Sequence, residues 1–436
     1  MMWPSPQSAV AGVVRAPWDA WRAQAPAARA TSALLAAMLV GGAVLRLWNI
    51  GAPAHFTFDE HHFVPNARHY LDGATDDNDH PPLGKLLIAA SMLLFGDNPT
   101  GWRAASLILG LQTLVVAAAL ARELGGTRRA GWFAAAFFAA DGFFLAYART
   151  ALVDGGLACL MLWSLLAALV ARSWRGVLAS AVLVGLAASV KWSGSLAVLP
   201  ALGAVWMRRR VPLWQALPLF GLVAPATHIG LWLASLALTH QAPDPRALAA
   251  LVRDLLQGHI QMGREKNALA SPWYSWPLLY HPIVVKLSDH GASHRYASSV
   301  GNPLLFLSTT LAVATTLAGG IASLGARARA RIAAQVEPGE AHAALLLAAG
   351  WLALLAPWIV GRGEFTFMYH YLPSYGCGLT LLAIVASRLE HRHPRAVLAY
   401  VAGAVLLAIY FAPVWAELPL TSAAANRRLI FLPWQP

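Results

Sequence analysis

Apolar runs of about 18–22 residues recur along most of this chain, the length a helix needs to cross the hydrocarbon core of a bilayer. They constrain the fold more than any other feature. Within lipid every backbone N–H and C=O must be paired inside the structure, and long uninterrupted apolar runs do this as helices. The runs fall at 30–50, 103–121, 130–148, 153–171, 176–191, 194–207, 213–238, 303–324, 342–360, 370–387 and 396–415, about eleven expected spans. The boundaries of the 176–207 pair are the least defined. Composition agrees. The 436 residues are 58% hydrophobic and 12% charged with mean hydropathy +0.54, whereas a soluble domain is roughly half apolar and a quarter charged. The expected class is an all-α polytopic membrane protein.

The net charge of +12 would suit a nucleic-acid partner, but the arginines sit in short clusters between spans. Arg122 with Arg128 and Arg129, Arg172 with Arg175, Arg208–Arg210, Arg327 with Arg329 and Arg331, and Arg388 with Arg392 and Arg395 all fall on one side of the membrane. Positive-inside bias makes that side cytoplasmic, so no nucleic acid is expected. Residues 1–29, Pro- and Ala-rich with Arg15, Arg22 and Arg29, form a cytoplasmic lead; 30–415 form one membrane domain. An odd span count puts the 51–102 loop, the 239–302 loop and the 416–436 tail on the outer face. No cleavable signal is expected, because the first apolar run begins near Ala30 and no small-residue cleavage site precedes charged sequence. Cys159 and Cys377 lie inside apolar runs without metal-type spacing and read as small buried hydrophobes.

Against this background the stretch from Phe56 to Lys85 stands out, with six acidic residues and four histidines between two apolar runs. Charges in such a place either face water or do chemistry. An isolated Asp59-Glu60 pair would ordinarily mark the solvated start of a loop. The density of His and Asp around it turns the reading toward one carboxylate as a base and its neighbour as an orienting group. Asp79-His80 precedes two prolines, which fix φ and hold His80 extended at the membrane edge. There it serves a rigid turn, a phosphate contact, or both. LLIAASMLLFG (86–96) is too short to span and fits a helix lying at the interface.

Arg103, Arg149, Asp154, Lys191, Arg362 and Glu364 lie at outer span ends. Each basic one alone is accounted for by snorkelling to the interface. Together they form a cationic rim suited to a lipid phosphate, for which arginine offers bidentate geometry. His61 and His62 raise the question of a metal, but adjacent histidines are poor ligand spacing. No cofactor is required on this reading, and a divalent metal stays an open alternative. The stretch 258–286 is rich in Trp, Tyr and Pro, which suits an interfacial aromatic belt or a sugar-binding groove.

FDEHHF, DNDHPPLGKLL and GWRAASLILG, then ARTALVDG (148–155), GLAASVKWSG (185–194), SPWYSWP (271–277), FTFMYHYLP (365–373) and YFAPVW (410–415) follow one another in the order seen in protein O-mannosyltransferases. The sequence resembles that family over nearly its whole length. The resemblance implies a GT-C glycosyltransferase fold, a polyprenyl-phosphate-mannose lipid donor, and Ser/Thr-containing polypeptide acceptors glycosylated on the outer face. It implies Asp59 as catalytic Asp with Glu60 as its partner. Asp79, His80, Arg103, Arg149, Asp154 and Lys191 become donor phosphate or sugar contacts, and Trp273, Trp276, Arg362, Tyr369 and His370 become groove residues. Only residues 239–302 separate the seventh and eighth expected spans, so the β-trefoil domain of the eukaryotic members is missing. The sequence therefore resembles the bacterial members, in a cytoplasmic membrane and with the secretion machinery as a candidate partner besides membrane lipids.

The chemistry so implied is a single in-line displacement. Asp59 takes the acceptor proton while the lipid phosphate leaves, with Arg103, Lys191, Arg149 and His80 stabilising the phosphate. Two alternatives remain: the same fold acting on a lipid or glycan acceptor, and a polyprenyl-lipid transporter or flippase. A transporter would place charges near the midplane in repeated, broken helices. Here they gather at one face.

Overall fold

Every expected span is helical in the computed structural model, which describes residues 25–75, 80–262, 267, 269–290, 293–330, 339–361 and 366–429. Helix α1 (Pro26–Leu47) opens on a proline, at a position whose N–H would have no helical partner anyway. The first loop holds α2 (Glu60–Asp72) and the short α3 (Leu83–Phe95), whose Leu93, Leu94 and Phe95 are exposed as an interfacial helix requires. Next come α4 (Pro99–Gly125), α5 (Arg128–Ala139), α6 (Gly142–Arg149), α7 (Asp154–Val170) and α8 (Trp174–Ala188). A 3₁₀ turn at Trp192–Ala197 leads into α9 (Val198–Arg208) and α10 (Leu213–Leu238).

The second long loop, 239–302, is more structured than its sequence suggests. It contains an amphipathic helix α11 (Pro245–Met262), a 3₁₀ turn (Trp273–Leu278) and a hairpin of β1 (Val284–His290) and β2 (Ser293–Ser298). Four long helical elements follow: α12 (Pro303–Ala330), α13 (Gly339–Val360), α14 (Leu372–Arg392), entered through a 3₁₀ turn at Met368–Tyr371, and α15 (Pro394–Trp415). The tail adds β3 (Leu420–Thr421) to the hairpin, giving an antiparallel β1-β2-β3 sheet with His294 opposite Leu420, and then α16 (Ser422–Arg428). Among the described residues this small sheet is the one departure from an all-helical chain.

Seven helices among the described residues are long and apolar enough to cross a membrane, and α5 with α6, bent by 64°, makes an eighth. The other expected spans are the shorter α7, α8 and α9, of 17, 15 and 11 residues. The protein is thus a multi-pass membrane protein. At its centre α14, 83% of whose apolar window is buried, touches α4, α5, α7, α12, α13 and α15.

The break between α5 and α6 shows how buried charge shapes the bundle. A broken span frees carbonyls on one side and N–H groups on the other, and lipid offers neither a partner. Fully buried Arg46 donates to the Phe138 and Ala139 carbonyls, both at 2.9 Å. Fully buried Asp141 accepts from Phe143 and Phe144 N–H at 3.0 and 3.2 Å. Its second oxygen accepts from Asn302 N–H and the Tyr375 hydroxyl, both at 3.0 Å, pinning α12 and α14 to the break. Arg46 reaches this point because α1 crosses α5 at Gly42, where a Cβ would sit 2.2 Å from the Ala139 oxygen.

One end of the bundle gathers arginines on carboxylates. Arg129 Nε donates to Glu390 at 2.6 Å and its Nη1 to Ser32 at 2.8 Å, and Arg208 pairs with Glu123. The amino end of α1, the carboxyl ends of α4, α9 and α14 and the start of α5 therefore share one face. The polar first loop lies at the opposite ends of these helices.

Candidate active site

The chain leaves α1 and turns through residues 48–59 into α2. Phe58 holds φ +49, a left-handed conformation that costs a bulky residue about 1–3 kcal/mol. This turn sends Asp59 and Glu60 to different places.

Glu60 is fully buried. Its carboxylate receives Arg103 through Nε and Nη2, both at 2.8 Å, the Thr57 N–H at 2.8 Å and hydroxyl at 3.0 Å, and the Ala151 N–H at 2.8 Å. The remaining Arg103 N–H groups go to the carbonyls of Ile50, Pro53 and His55 at 3.1, 3.1 and 3.3 Å. Here the sequence reading needs correcting. Arg103 is 1% exposed and every donor is committed, so it braces the first loop from behind instead of meeting a phosphate. Glu60 is the positioning partner of the acidic pair and does not face the site.

Arg149 also leaves the cationic rim. Its Nη1 donates to the carbonyls of Leu45, Arg46 and Trp48, closing the carboxyl end of α1, where a cation is favoured. Arginines in these places are recruited by unpaired backbone carbonyls, a demand that no spacing rule in the sequence reveals.

Asp59 behaves differently. It occupies the cap position of α2, yet its side chain makes no capping bond and no hydrogen bond to any described residue. Half-buried, it faces Lys191 and Asp154. Burial raises its carboxyl above the ordinary carboxylate range; the Lys191 ammonium pulls it down, Asp154 pushes it up, and His62 and His61 pull it down. Lys191 Nζ is held by Asp154 at 2.8 Å and lies 4.6 Å from the centre of the Tyr369 ring. Tyr147 and Tyr369, their rings 6.4 Å apart, both feel the Asp59 and Asp154 carboxylates.

His80 closes the other flank. Its ring stacks on Phe63 at 5.9 Å, and its carbonyl accepts from Lys85 Nζ at 3.0 Å. The α3 start is tied to the α8 end by Leu83 N–H donating to the Ser189 carbonyl at 2.9 Å, which brings His80 toward Lys191. Burial, then Lys191, His259, Lys85 and His370, push its imidazole well below its ordinary value, so it is neutral at neutral pH.

His259 of α11 was missed in the sequence. It stacks on Trp192 (5.2 Å, 28°) and sits 5.8 Å from His80. Its Nδ1 lies 2.9 Å from the Leu255 carbonyl, which can only accept; Nδ1 therefore carries the proton and Nε2 is left for a ligand. Glu417, just past α15, was missed as well. Burial pushes its carboxyl up to about 7 while Arg149 and Arg103 pull it down.

The aromatic candidates divide. Trp276 is fully buried, donates to Ser271 at 2.9 Å and packs 6.2 Å from Trp358, so it is core and not groove. Trp273 is half-buried beside Tyr274. His370 stacks on Trp358 at 3.8 Å, and its Nδ1 accepts from Phe367 N–H at 3.2 Å. Asp79, Arg362, Glu364 and the Asp76–Asp77 pair lie outside the described residues. His61 and His62 are exposed, as a solvated loop would have them. Among the described residues no three His, Cys, Asp or Glu side chains are grouped to hold a metal.

A bundle of broken and short helices that carries its polar site at one end is the architecture of GT-C glycosyltransferases. The S. cerevisiae protein O-mannosyltransferase Pmt1-Pmt2 complex bound to the sugar donor matches with TM-score 0.75 over 93% of both chains at 13% identity. ArnT from Cupriavidus metallidurans matches with TM-score 0.57 over 88% of this chain and 76% of that one at 14% identity. At these identities the likeness concerns the fold alone. In sequence, models for dolichyl-phosphate-mannose-protein mannosyltransferase match residues 36–103 and 79–234, and one for the C-terminal four-span region of protein O-mannosyltransferase matches 248–434. The polyprenol-phosphate-mannose–protein mannosyltransferase of Mycolicibacterium smegmatis is 31% identical over 207 residues, covering 38% of this chain and 39% of the relative. That of Mycobacterium tuberculosis is 32% identical over 159 residues, covering 35% and 29%. The matches thus span two-fifths or less of these relatives' length. The chain belongs to the protein O-mannosyltransferase family.

Proposed function

We propose that this protein is an inverting glycosyltransferase that moves mannose from a polyprenyl-phosphate-mannose to Ser or Thr hydroxyls of exported polypeptides as the secretion machinery delivers them. The observation that carries the reading is the uncommitted Asp59 carboxylate facing the Lys191–Asp154 pair. Asp59 accepts the hydroxyl proton, the hydroxyl oxygen bonds to the anomeric carbon, and the bond from that carbon to the phosphate oxygen breaks. The polyprenyl phosphate departs as an anion. One base and no covalent intermediate give inversion, in contrast to the paired carboxylates of retaining glycosidases.

Lys191, oriented by Asp154, supplies the preorganised charge for the leaving phosphate, neutral His80 adds a hydrogen bond, and His259 Nε2 is placed to accept from a hydroxyl of the mannose. By the positive-inside bias the arginine-bearing face is cytoplasmic, which puts the site on the outer face of a bacterial cytoplasmic membrane. Purified protein given a polyprenyl-phosphate-mannose and a Ser/Thr-rich peptide should yield hexosylated peptide by mass spectrometry. Hexose on an added lipid or glycan acceptor, with none on peptide, would shift the reading to the alternative acceptor class.

Two further results are expected. Removing a neutral hydrogen bond costs about 0.5–1.5 kcal/mol, so His259→Ala should raise the KM for the lipid donor about two- to tenfold and leave the peptide KM unchanged. An unaltered donor KM removes His259 from the site. Asp59 must be ionised to act, so activity falls as pH drops through its raised value, above the ordinary carboxylate range. Because Lys191 draws that value down, Lys191→Gln should move the acid limb of kcat/KM to higher pH as well as weakening donor binding.

A further inference from the structure

A small open cleft, with Phe58, the chain neighbour of Asp59, in its wall, takes no part in the proposal so far. Its walls include Phe58, Ala146, Tyr147, Leu152, Ile283 and Ser299, from the first loop, α6 and the hairpin base. Besides the Tyr147 hydroxyl, the hydroxyls along it, those of Thr150, Ser298 and Ser299, are engaged with the backbone. Thr150 donates to the Ala146 carbonyl at 2.9 Å, Ser298 accepts from Val300 N–H at 3.1 Å, and Ser299 accepts from Ile283 N–H at 2.8 Å. The cleft's walls are mostly apolar and include no charged side chain, a poor match for a phosphate.

Its position relative to the basic groups is equally informative. Tyr369 lies 6.5 Å from Phe58 and 6.4 Å from Tyr147, both cleft walls, and 4.6 Å from Lys191 Nζ. Lys191 is not one of the cleft's walls, so the cleft lies next to the ammonium, with Tyr369 packed near both, without including it. An in-line displacement needs the incoming hydroxyl opposite the leaving phosphate, so a cleft that excludes the Lys191 ammonium suits the acceptor better than the phosphate. Ile283, Ser298 and Ser299 belong to the outer loop and not to spans, which sets the cleft at the water side of the bilayer and away from a polyprenyl tail.

We infer that this cleft is an acceptor subsite. It takes one apolar side chain of an extended polypeptide whose Ser or Thr hydroxyl lies at Asp59. In an extended chain, side chains two residues apart share a face, so the occupant is the residue two positions before or after the glycosylated one. The inference rests on the proposed function and adds to it a sequence preference in the acceptor.

The test uses the full-length purified protein, polyprenyl-phosphate-mannose and peptides bearing a single Thr, with Gly, Val or Asp two positions to either side. Val at one of the two positions should lower the peptide KM about tenfold against Asp, the scale expected of an apolar pocket. Ala146→Leu, which fills the cleft, should abolish that preference while leaving the donor KM within about twofold. Ile283→Ala, which widens it, should move the preference toward Leu and keeps the test open where Ala146→Leu does not fold. Equal KM for all flanks in the wild type, or a filled cleft that raises the donor KM as much as the peptide KM, would overturn the subsite. Transfer to the Gly-flanked peptide reads the proposed function separately; its loss for every peptide overturns both.

Discussion

Asp59→Asn is expected to lower mannose transfer about 10²–10⁴-fold, the usual contribution of a positioned general base, with the protein still inserted and folded. The physical reason is that the Asp59 carboxylate holds nothing together. It neither caps α2 nor bonds to a described neighbour, and it sits half-buried against Lys191. Replacing it with the neutral isostere removes the proton acceptor and, with it, a group whose burial opposes its own ionisation. Thermal stability should therefore stay level or rise slightly. Steady-state transfer to a Thr peptide together with a detergent thermal-shift measurement checks both halves. Near-normal transfer would remove Asp59 as the base.

The opposite signature is expected for Arg103→Met. Breaking a buried ion pair by deleting one partner typically costs about 3–5 kcal/mol, because the other charge is left uncompensated. Here the orphan would be Glu60, with 0% exposure, and the carbonyls of Ile50, Pro53 and His55 would lose their donors at the same time. The variant should lose thermal stability and resist purification as a monodisperse species. Pairing it with Glu60→Leu should recover part of the stability, since apolar replacement of a buried pair is often tolerated. Activity should not return, because the turn that presents Asp59 is built on that pair. A stable Arg103→Met protein with a large rise in donor KM alone would mean that the guanidinium meets the phosphate after all.

These two variants separate residues that stand 44 positions apart and look alike in the sequence, where each is a charge near the end of an apolar run. The pattern of apolar runs was enough to read a multi-pass helical protein and, with the arginine clusters, to sort helix ends onto two faces. Arg129 on Glu390 and Arg208 on Glu123 bear out the grouping of those ends. Asp59, Asp154, Lys191 and His80 were also legible, through their motifs, and the fold brings them together. What misled was the assumption that outer arginines face outward. Arg103 and Arg149 point inward to carbonyls that the end of α1 and the irregular loop leave unpaired. The aromatic stretch misled in the same way, since Trp276 reads as a belt or groove residue and is wholly enclosed.

The sequence by itself therefore determined the environment of the chain, because a hydrophobic run of spanning length has few physical solutions in lipid. It also determined which residue types could act, because titratable groups are scarce in such a chain. Tertiary structure decided which of them are free to act. Whether a carboxylate is a base or a brace depends on how many donors converge on it. Glu60 collects donors from Thr57, Arg103 and Ala151, brought together across ninety residues, while Asp59 next to it collects none. That difference arises from packing between distant segments, and it sets the two neighbouring carboxylates to different tasks.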